Sequence, residues 1–490
     1  KRIVFIAYRI DFVNYLCQQS FIVLIRYGHT PILLKIFNVT MSREVTNNRA
    51  EVDSVVVQSL QANSSRLWHW LEYVYVVTLL GTLTQGPVNK IWEGSSQVDP
   101  KAIEITKFAT YILVQAPAIF LLVRRGISKN LLKGPIGLLL LFVSWMLLST
   151  IWATSSSNTV FESLTLVLTC SVGLYVARSF SLIEQLSLFG FAMQPGLIFS
   201  WFAVRQNWAG SVQPEDGNWI GIYFNRNSLA PPAALGLLAA SALLWIVLAR
   251  RPKRWIAIGL TLIAVTLFDS YLLVRSGSST SLGAVMVFGL VWLFWSVIRW
   301  WQRHKNISPK QILRMVYPSF LLGVIVMTWV GFRFQSVLLN RLGRKIDFNG
   351  REVLWRFSWS GFKNRPIIGW GWMSAWRTQE FFKDREFWWA LTNNYWSHSA
   401  MMDVLLGGGI IGATLLVFAI IWSGARQLGS VCSEISGQWA FAATWFVIAA
   451  STQESFIIGN HFMLVLLVSS MIGYQANQND DSLNKTNSPA

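Results

Sequence analysis

The sequence predicts an all-α, polytopic membrane protein of about twelve transmembrane helices, with one long, partly helical outer loop. Three observations carry that expectation. Only 13% of the residues are charged against 53% hydrophobic, where an average soluble domain carries about 25% charged residues. Apolar runs such as Gly137–Trp152, Leu229–Leu248, Trp255–Val274, Ser281–Ile298 and Pro318–Val330 recur along the chain. They mostly lack the polar face that a soluble helix shows every 3.6 residues. Several reach the ~20 residues needed to cross a hydrocarbon core once their aromatic flanks are counted. The positive charge falls in short clusters between these runs, as in cytoplasmic loops.

Taken in order, the runs place spans near Tyr75, Leu113, Phe142, Val167, Gly196, Leu238, Ile263, Val287, Val324, Thr414, Phe446 and Val465. Tryptophans mark many run ends (Trp68, Trp70, Trp152, Trp201, Trp255, Trp300, Trp301), as expected for amphipathic rings that prefer the headgroup level. The connection after the second span carries Arg124, Arg125, Lys129 and Lys133. The one after the sixth carries Arg250, Arg251, Lys253 and Arg254, and the one after the eighth Arg299, Arg303, Lys305, Lys310 and Arg314; none of the three holds an acid. All three fall on one side, which the positive-inside rule makes cytoplasmic, together with both termini. A net charge of +18 distributed in this way argues against a nucleic-acid partner and for a lipid bilayer.

The organisation expected is an N-terminal extension over 1–62, a membrane domain over 63–474 and a polar, Asn-rich, disordered tail over 475–490. The long outer loop covers 335–398. It holds ten basic residues against five acidic ones, a positive balance that suits an anionic ligand. The cysteines, Cys17, Cys170 and Cys432, are far apart and have no metal spacing. No close Asp-x-Asp pair lies on the outer side, so neither a metal site nor a cofactor is expected.

Five histidines are present. His29 lies in the extension, His69 at the inner end of the first span, His304 in a basic connection and His461 in the last span. His398 lies where the long loop enters a membrane helix, a place where an imidazole is half-buried and can work near neutral pH. Glu454 lies near the outer end of the eleventh span, where a carboxylate is costly to bury and so calls for a partner or a role.

His398 opens the segment His398-Ser399-Ala400-Met401-Met402-Asp403-Val404-Leu405-Leu406-Gly407-Gly408-Gly409-Ile410-Ile411-Gly412. This resembles a motif of the O-antigen ligase and polymerase superfamily: His, then Asn, Ser or Gln, nine residues, Gly, two residues, and Gly, Thr or Tyr. His398, Ser399, Gly409 and Gly412 fit every fixed position. Gly350-Arg351-Glu352-Val353-Leu354-Trp355 resembles the Gly-Arg…Trp opening of the same loop, and Pro366–Gly371 its Pro-x-x-Gly-aromatic-Gly element. Gly221–Leu229 is similar to an earlier outer turn with its Asn before a span, and Ser276–Thr280 to a Ser-rich turn. Two departures are present: Gly407 stands where many relatives carry an acid, and Leu354 comes one position early for an Arg-x-x-x-Leu element.

The resemblance covers about Trp68 to Gly473. It implies an enzyme of a bacterial inner membrane that moves a glycan from undecaprenyl diphosphate to an acceptor hydroxyl on the periplasmic side. The acceptor is the lipid A core for a ligase and the growing glycan for a polymerase, and the sequence fits both. His398 would be the catalytic base; Arg351, Arg226 and Arg275 would bind the diphosphate; Asn227, Ser399, Gly409, Gly412 and Glu454 would support them. Direct attack would invert the anomeric centre without a metal. The alternative is a lipid-linked glycan flippase. Transporters place polar groups near the midplane and often repeat in halves, whereas the polar candidates here cluster at the outer boundary.

Overall fold

The computed structural model describes residues 67–88, 100–126, 133–305, 311, 314, 316–323, 351–377, 396–431 and 435–472. Its contacts divide the chain into residues 1–74 and residues 75–490, and apart from residues 67–74 the features that follow lie in the second unit. The expected extension over 1–62 and tail over 475–490 lie outside the described residues, as do the aromatic residues of the long loop at 378–395.

The protein is an all-α polytopic membrane protein. In chain order the helices are α1 (67–83), α2 (Pro100–Arg124), α3 (Pro135–Leu148, continued by a 3-10 turn at Ser149–Ile151), α4 (Ser156–Ser179) and α5 (Leu182–Arg205). Then come α6 (Arg226–Arg250), α7 (Trp255–Ser276), α8 (Ser279–Lys305), α9 (Arg351–Asn364), α10 (Ala400–Val431), α11 (Ile435–Ser451) and α12 (Phe462–Ile472), with a further described helical segment at 316–323 between α8 and α9. Six of these, α4 to α8 and α10, are long and apolar enough to cross a membrane by length and composition. The expected span centres from Tyr75 to Val465 lie in described helices, except Val324, which lies outside the described residues. The described part of the long loop contains α9 and is partly helical.

Local chemistry sets the boundaries. Ser181 and Glu184 form a reciprocal capping box that starts α5, which satisfies two of the donors left open at a helix N-terminus. Asn225 caps α6 by accepting the Ser228 N–H at 2.9 Å. The α6–α7 turn is short, and Arg251 and Arg254 both adopt positive φ, 43° and 69°. That compresses the basic cluster into one tight reversal.

Within the bundle, α6 packs on α5 and α7, α2 on α4, α8 on α11, and α10 on α3, α11 and α9. Gly236 of α6 leaves room for Asp269 of α7, whose carboxylate accepts from Gln194 Nε2 of α5 at 3.0 Å. The surface of α7 and α8 presents Leu260, Leu267, Val274, Met286, Leu290 and Leu293. In water such a face is an association hazard; in lipid it is the ordinary outer surface.

One helix is broken. Gly409 interrupts α10 with φ 65° and ψ −164°, and the Pro366–Gly371 stretch lies in the break. Trp370 N–H donates to Leu406 O at 2.9 Å, Gly371 N–H to Gly407 O at 3.0 Å and Ile410 N–H to Pro366 O at 2.8 Å. Trp145 Nε1 of α3 donates to Gly408 O at 2.8 Å. A break in a membrane helix exposes backbone polar groups that lipid cannot satisfy, and here the loop and one indole take that task. Glycines on a membrane helix commonly allow close packing against a neighbour. Gly412 does this against Met146 and Trp145, while Gly409 is the opening itself.

Candidate active site

The ends of α3, α5, α7 and α11 meet the starts of α6, α8, α10 and α12 at one end of the bundle. Trp219 N–H donates to Arg275 O at 2.9 Å there, Trp152 Nε1 to Ile368 O at 3.3 Å and Gln85 Nε2 to Asn460 O at 3.2 Å. Arg124, Arg125, Lys133, Arg250, Arg251, Lys253, Arg254 and Arg299 belong to the opposite ends of their helices.

His398 sits in the turn that starts α10, with φ 54°. A non-glycine residue reaches this left-handed region at some cost and stays there when its surroundings hold it. The turn is held from several sides. Trp355 Nε1 of α9 donates to Ser397 O at 3.1 Å. Ser397 N–H donates to Asp403 Oδ1 at 2.9 Å, and Ser397 Oγ donates to Ser399 O at 2.7 Å. Ser399 enters through its backbone: its N–H meets Ser397 Oγ at 3.1 Å, and its carbonyl accepts the Asp403 N–H at 3.1 Å.

The imidazole Nδ1 of His398 lies 2.8 Å from Glu454 Oε2. The other carboxylate oxygen, Oε1, accepts from Arg351 Nη2. Arg351 Nη1 reaches Gln453 Oε1 at 3.4 Å, and that oxygen also lies 3.5 Å from Thr280 Oγ1. The side chains of Arg351 and Glu454 are 9% and 10% exposed, that of His398 19%. The ion pair is therefore well buried and the imidazole is its more accessible partner. Glu454 thus has the partners its position demanded. Arg351 offsets the cost of burying the carboxylate, and the carboxylate orients the imidazole.

A histidine that donates from Nδ1 to a carboxylate carries its lone pair on Nε2, and the carboxylate stabilises the imidazolium that forms when Nε2 takes a proton. The set of Arg351, Glu454 and neutral His398 has no net charge and gains one positive charge on protonation.

The other expected residues are placed differently. Asn227 Oδ1 accepts from Ser278 Oγ at 2.9 Å, two residues before Thr280, so it adjoins the cluster through the Ser276–Thr280 turn. Arg226 turns to Asp216, with Nη1 2.6 Å from Oδ2. Arg275 is exposed and stacks over Trp219, 4.9 Å from the ring centroid. Of the diphosphate candidates, Arg351 is the one joined to His398, and the link runs through Glu454. His461, expected inside the last span, instead precedes α12 at this same end. Its rings with Phe456 and Phe462 stand 4.6 Å apart, and its Nδ1 accepts the Met463 N–H at 3.2 Å.

Sequence reasoning missed the residues that join the segments: Gln453, Ser397, Trp376, Ser455 and, above all, Asp403. An acid four residues into an apolar span was the signal available for Asp403.

Residues 264–417 match the family model described as O-Antigen ligase. The matched segment runs from α7 into α10 and includes Arg275, Arg351, His398, Gly409 and Gly412, with Arg226 before it and Glu454 after it. No curated protein matches the chain.

Proposed function

We propose that this chain, whose residues 264–417 match the O-antigen ligase family model, is a glycosyltransferase that uses a lipid-linked glycan donor and His398 as general base. The observation that carries this reading is the 2.8 Å contact between His398 Nδ1 and Glu454, with Arg351 on the other carboxylate oxygen. That arrangement prepares Nε2 to accept a proton.

In the proposed step the acceptor hydroxyl loses its proton to His398 Nε2 as its oxygen bonds to the anomeric carbon. The bond from that carbon to the diphosphate oxygen breaks, and undecaprenyl diphosphate leaves with the electron pair. A single displacement inverts the anomeric centre, and the residues named need no metal. Charge grows on the diphosphate as it leaves, so positioned guanidinium groups favour the transition state. Arg275, exposed beside the Ser276–Thr280 turn, is best placed for that contact. Arg226 joins it when released from Asp216, and Arg351 acts mainly by holding Glu454. The site faces the side opposite the basic connections, the periplasmic side of a bacterial inner membrane.

The test is a reconstitution with an undecaprenyl-diphosphate oligosaccharide, a lipid A core or glycan acceptor, and EDTA. A new inverted glycosidic linkage is expected from the wild type, and its loss from His398→Gln, which keeps hydrogen bonding and removes the base. Movement of the donor lipid across the bilayer without product would favour a flippase. Full activity of His398→Gln would remove the base assignment.

A further inference from the structure

We propose that Asp403 is a positioning residue for the His398–Glu454 pair, one buried carboxylate in the first turn of α10 that ties down the turn carrying each partner. The inference rests on the catalytic reading of that pair. Asp403 is 1% exposed. Its Oδ1 accepts the Ser397 N–H at 2.9 Å and the Trp376 Nε1–H at 3.1 Å. Its Oδ2 accepts from the Ser455 hydroxyl. Ser397 immediately precedes His398, and Ser455 immediately follows Glu454. Each oxygen of one carboxylate therefore anchors the neighbour of one member of the pair.

The two turns arrive on different helices and have no covalent reason to stay in register. His398 also holds a left-handed backbone conformation that must be maintained from outside. A catalytic constellation must be held within about 0.5 Å of its productive geometry. A side chain with two acceptor oxygens can satisfy donors from both segments at once, and Trp376 Nε1–H, from the end of the Pro366–Arg377 stretch, brings the packed loop into the same node. Asparagine can imitate most of this. Its carbonyl keeps the two N–H donors, and its amide donates to the Ser455 hydroxyl, which can reverse. Alanine cannot.

The test uses the full chain in lipid nanodiscs, labelled with 15N-histidine, with the His398 signal identified by its absence in His398→Gln. Wild type should show the tautomer protonated at Nδ1. Asp403→Ala should give a mixture of tautomers, and Asp403→Asn should restore the wild-type spectrum. With an undecaprenyl-diphosphate oligosaccharide as donor, Asp403→Ala should lower kcat on the order of 10²-fold with KM unchanged, the scale of a misplaced catalytic group. In a Glu454→Gln background the same change should cost less than about 3-fold, because residues acting through one unit are not additive.

A folded Asp403→Ala protein with the wild-type tautomer and rate, or fully additive losses, would overturn the inference. If Asp403→Ala does not fold, Ser455→Ala and Asp403→Asn decide. A lowered kcat in the first with near-normal turnover in the second supports positioning, and any other pattern overturns it. Transfer that survives His398→Gln would sink the catalytic reading, whereas the tautomer measurement judges the role of Asp403 separately.

Discussion

The Arg351–Glu454–His398 chain places two charged groups and a titratable one at 9–19% side-chain exposure, so each depends on the others. Glu454→Gln keeps the shape and removes the charge that stabilises the imidazolium. It should lower kcat by up to about 10⁴-fold, the size seen when a triad carboxylate is neutralised, with little change in donor KM; unchanged turnover would show that Glu454 only fills space. Arg351→Met acts differently, because it strands Glu454. Breaking a buried pair costs about 3–5 kcal/mol, so this variant should lose thermal stability in detergent as well as activity. A variant that is inactive yet fully stable would point back to direct diphosphate contact. Among these residues His398 was legible by its motif and Arg351 by its resemblance, while Glu454 was flagged only by the cost of its position. Their joining was not legible: 56 residues separate His398 from Glu454 and 103 separate Arg351 from Glu454, and no local pattern reports a contact over such distances.

The broken helix α10 and the Pro366–Gly371 stretch act as one element. A Cβ on Gly409 would overlap the carbonyl of Ile367 and would have to adopt φ +65°. Gly409→Ala should therefore expel the loop and leave backbone groups of α10 unsatisfied. The expected result is loss of a monodisperse, folded protein in size-exclusion chromatography; a normal profile with full activity would contradict the role given to the break. Trp145→Phe removes one hydrogen bond to the break, at 2.8 Å. It should cost about 1 kcal/mol and leave the protein folded. The glycine spacing was visible in the sequence, but its use as a seat for another motif was not. A helix-packing glycine and a helix-breaking glycine look alike until the partner backbone is known. α9 shows the converse: Arg351, Leu354, Phe357, Ser358 and Gly361 are buried at near-helical spacing, a one-sided pattern that periodicity can predict.

Over the whole molecule, Arg124, Arg125, Lys133, Arg250, Arg251, Lys253, Arg254 and Arg299 collect at the end of the bundle away from His398. By the positive-inside rule, the proposed orientation puts that end in the cytoplasm and the site outside. In a background with Cys17 and Cys432 changed to Ser, and Cys170 buried, a cysteine at Gly210 should react with a membrane-impermeant maleimide on intact cells. Gly210 has open space around it, and its φ of 72° strains a cysteine there without covering it. A cysteine at the exposed Lys253 should react only after permeabilisation. The reverse pattern would place the site in the cytoplasm and exclude an extracytoplasmic donor.

What the sequence determined alone is the part governed by local or one-dimensional physics: helices long and apolar enough for a bilayer, the clustering of positive charge and the histidine at a span boundary. These follow from hydrophobic length, charge and residue type read in order along the chain. The tertiary structure decided which distant residues meet. It gave Glu454 two partners, turned Arg226 toward Asp216, left Arg275 on Trp219, moved His461 out of its helix and made Asp403 the node between two turns. Such choices depend on helix crossings and loop paths, which are set by packing in three dimensions, where sequence separation carries no distance information.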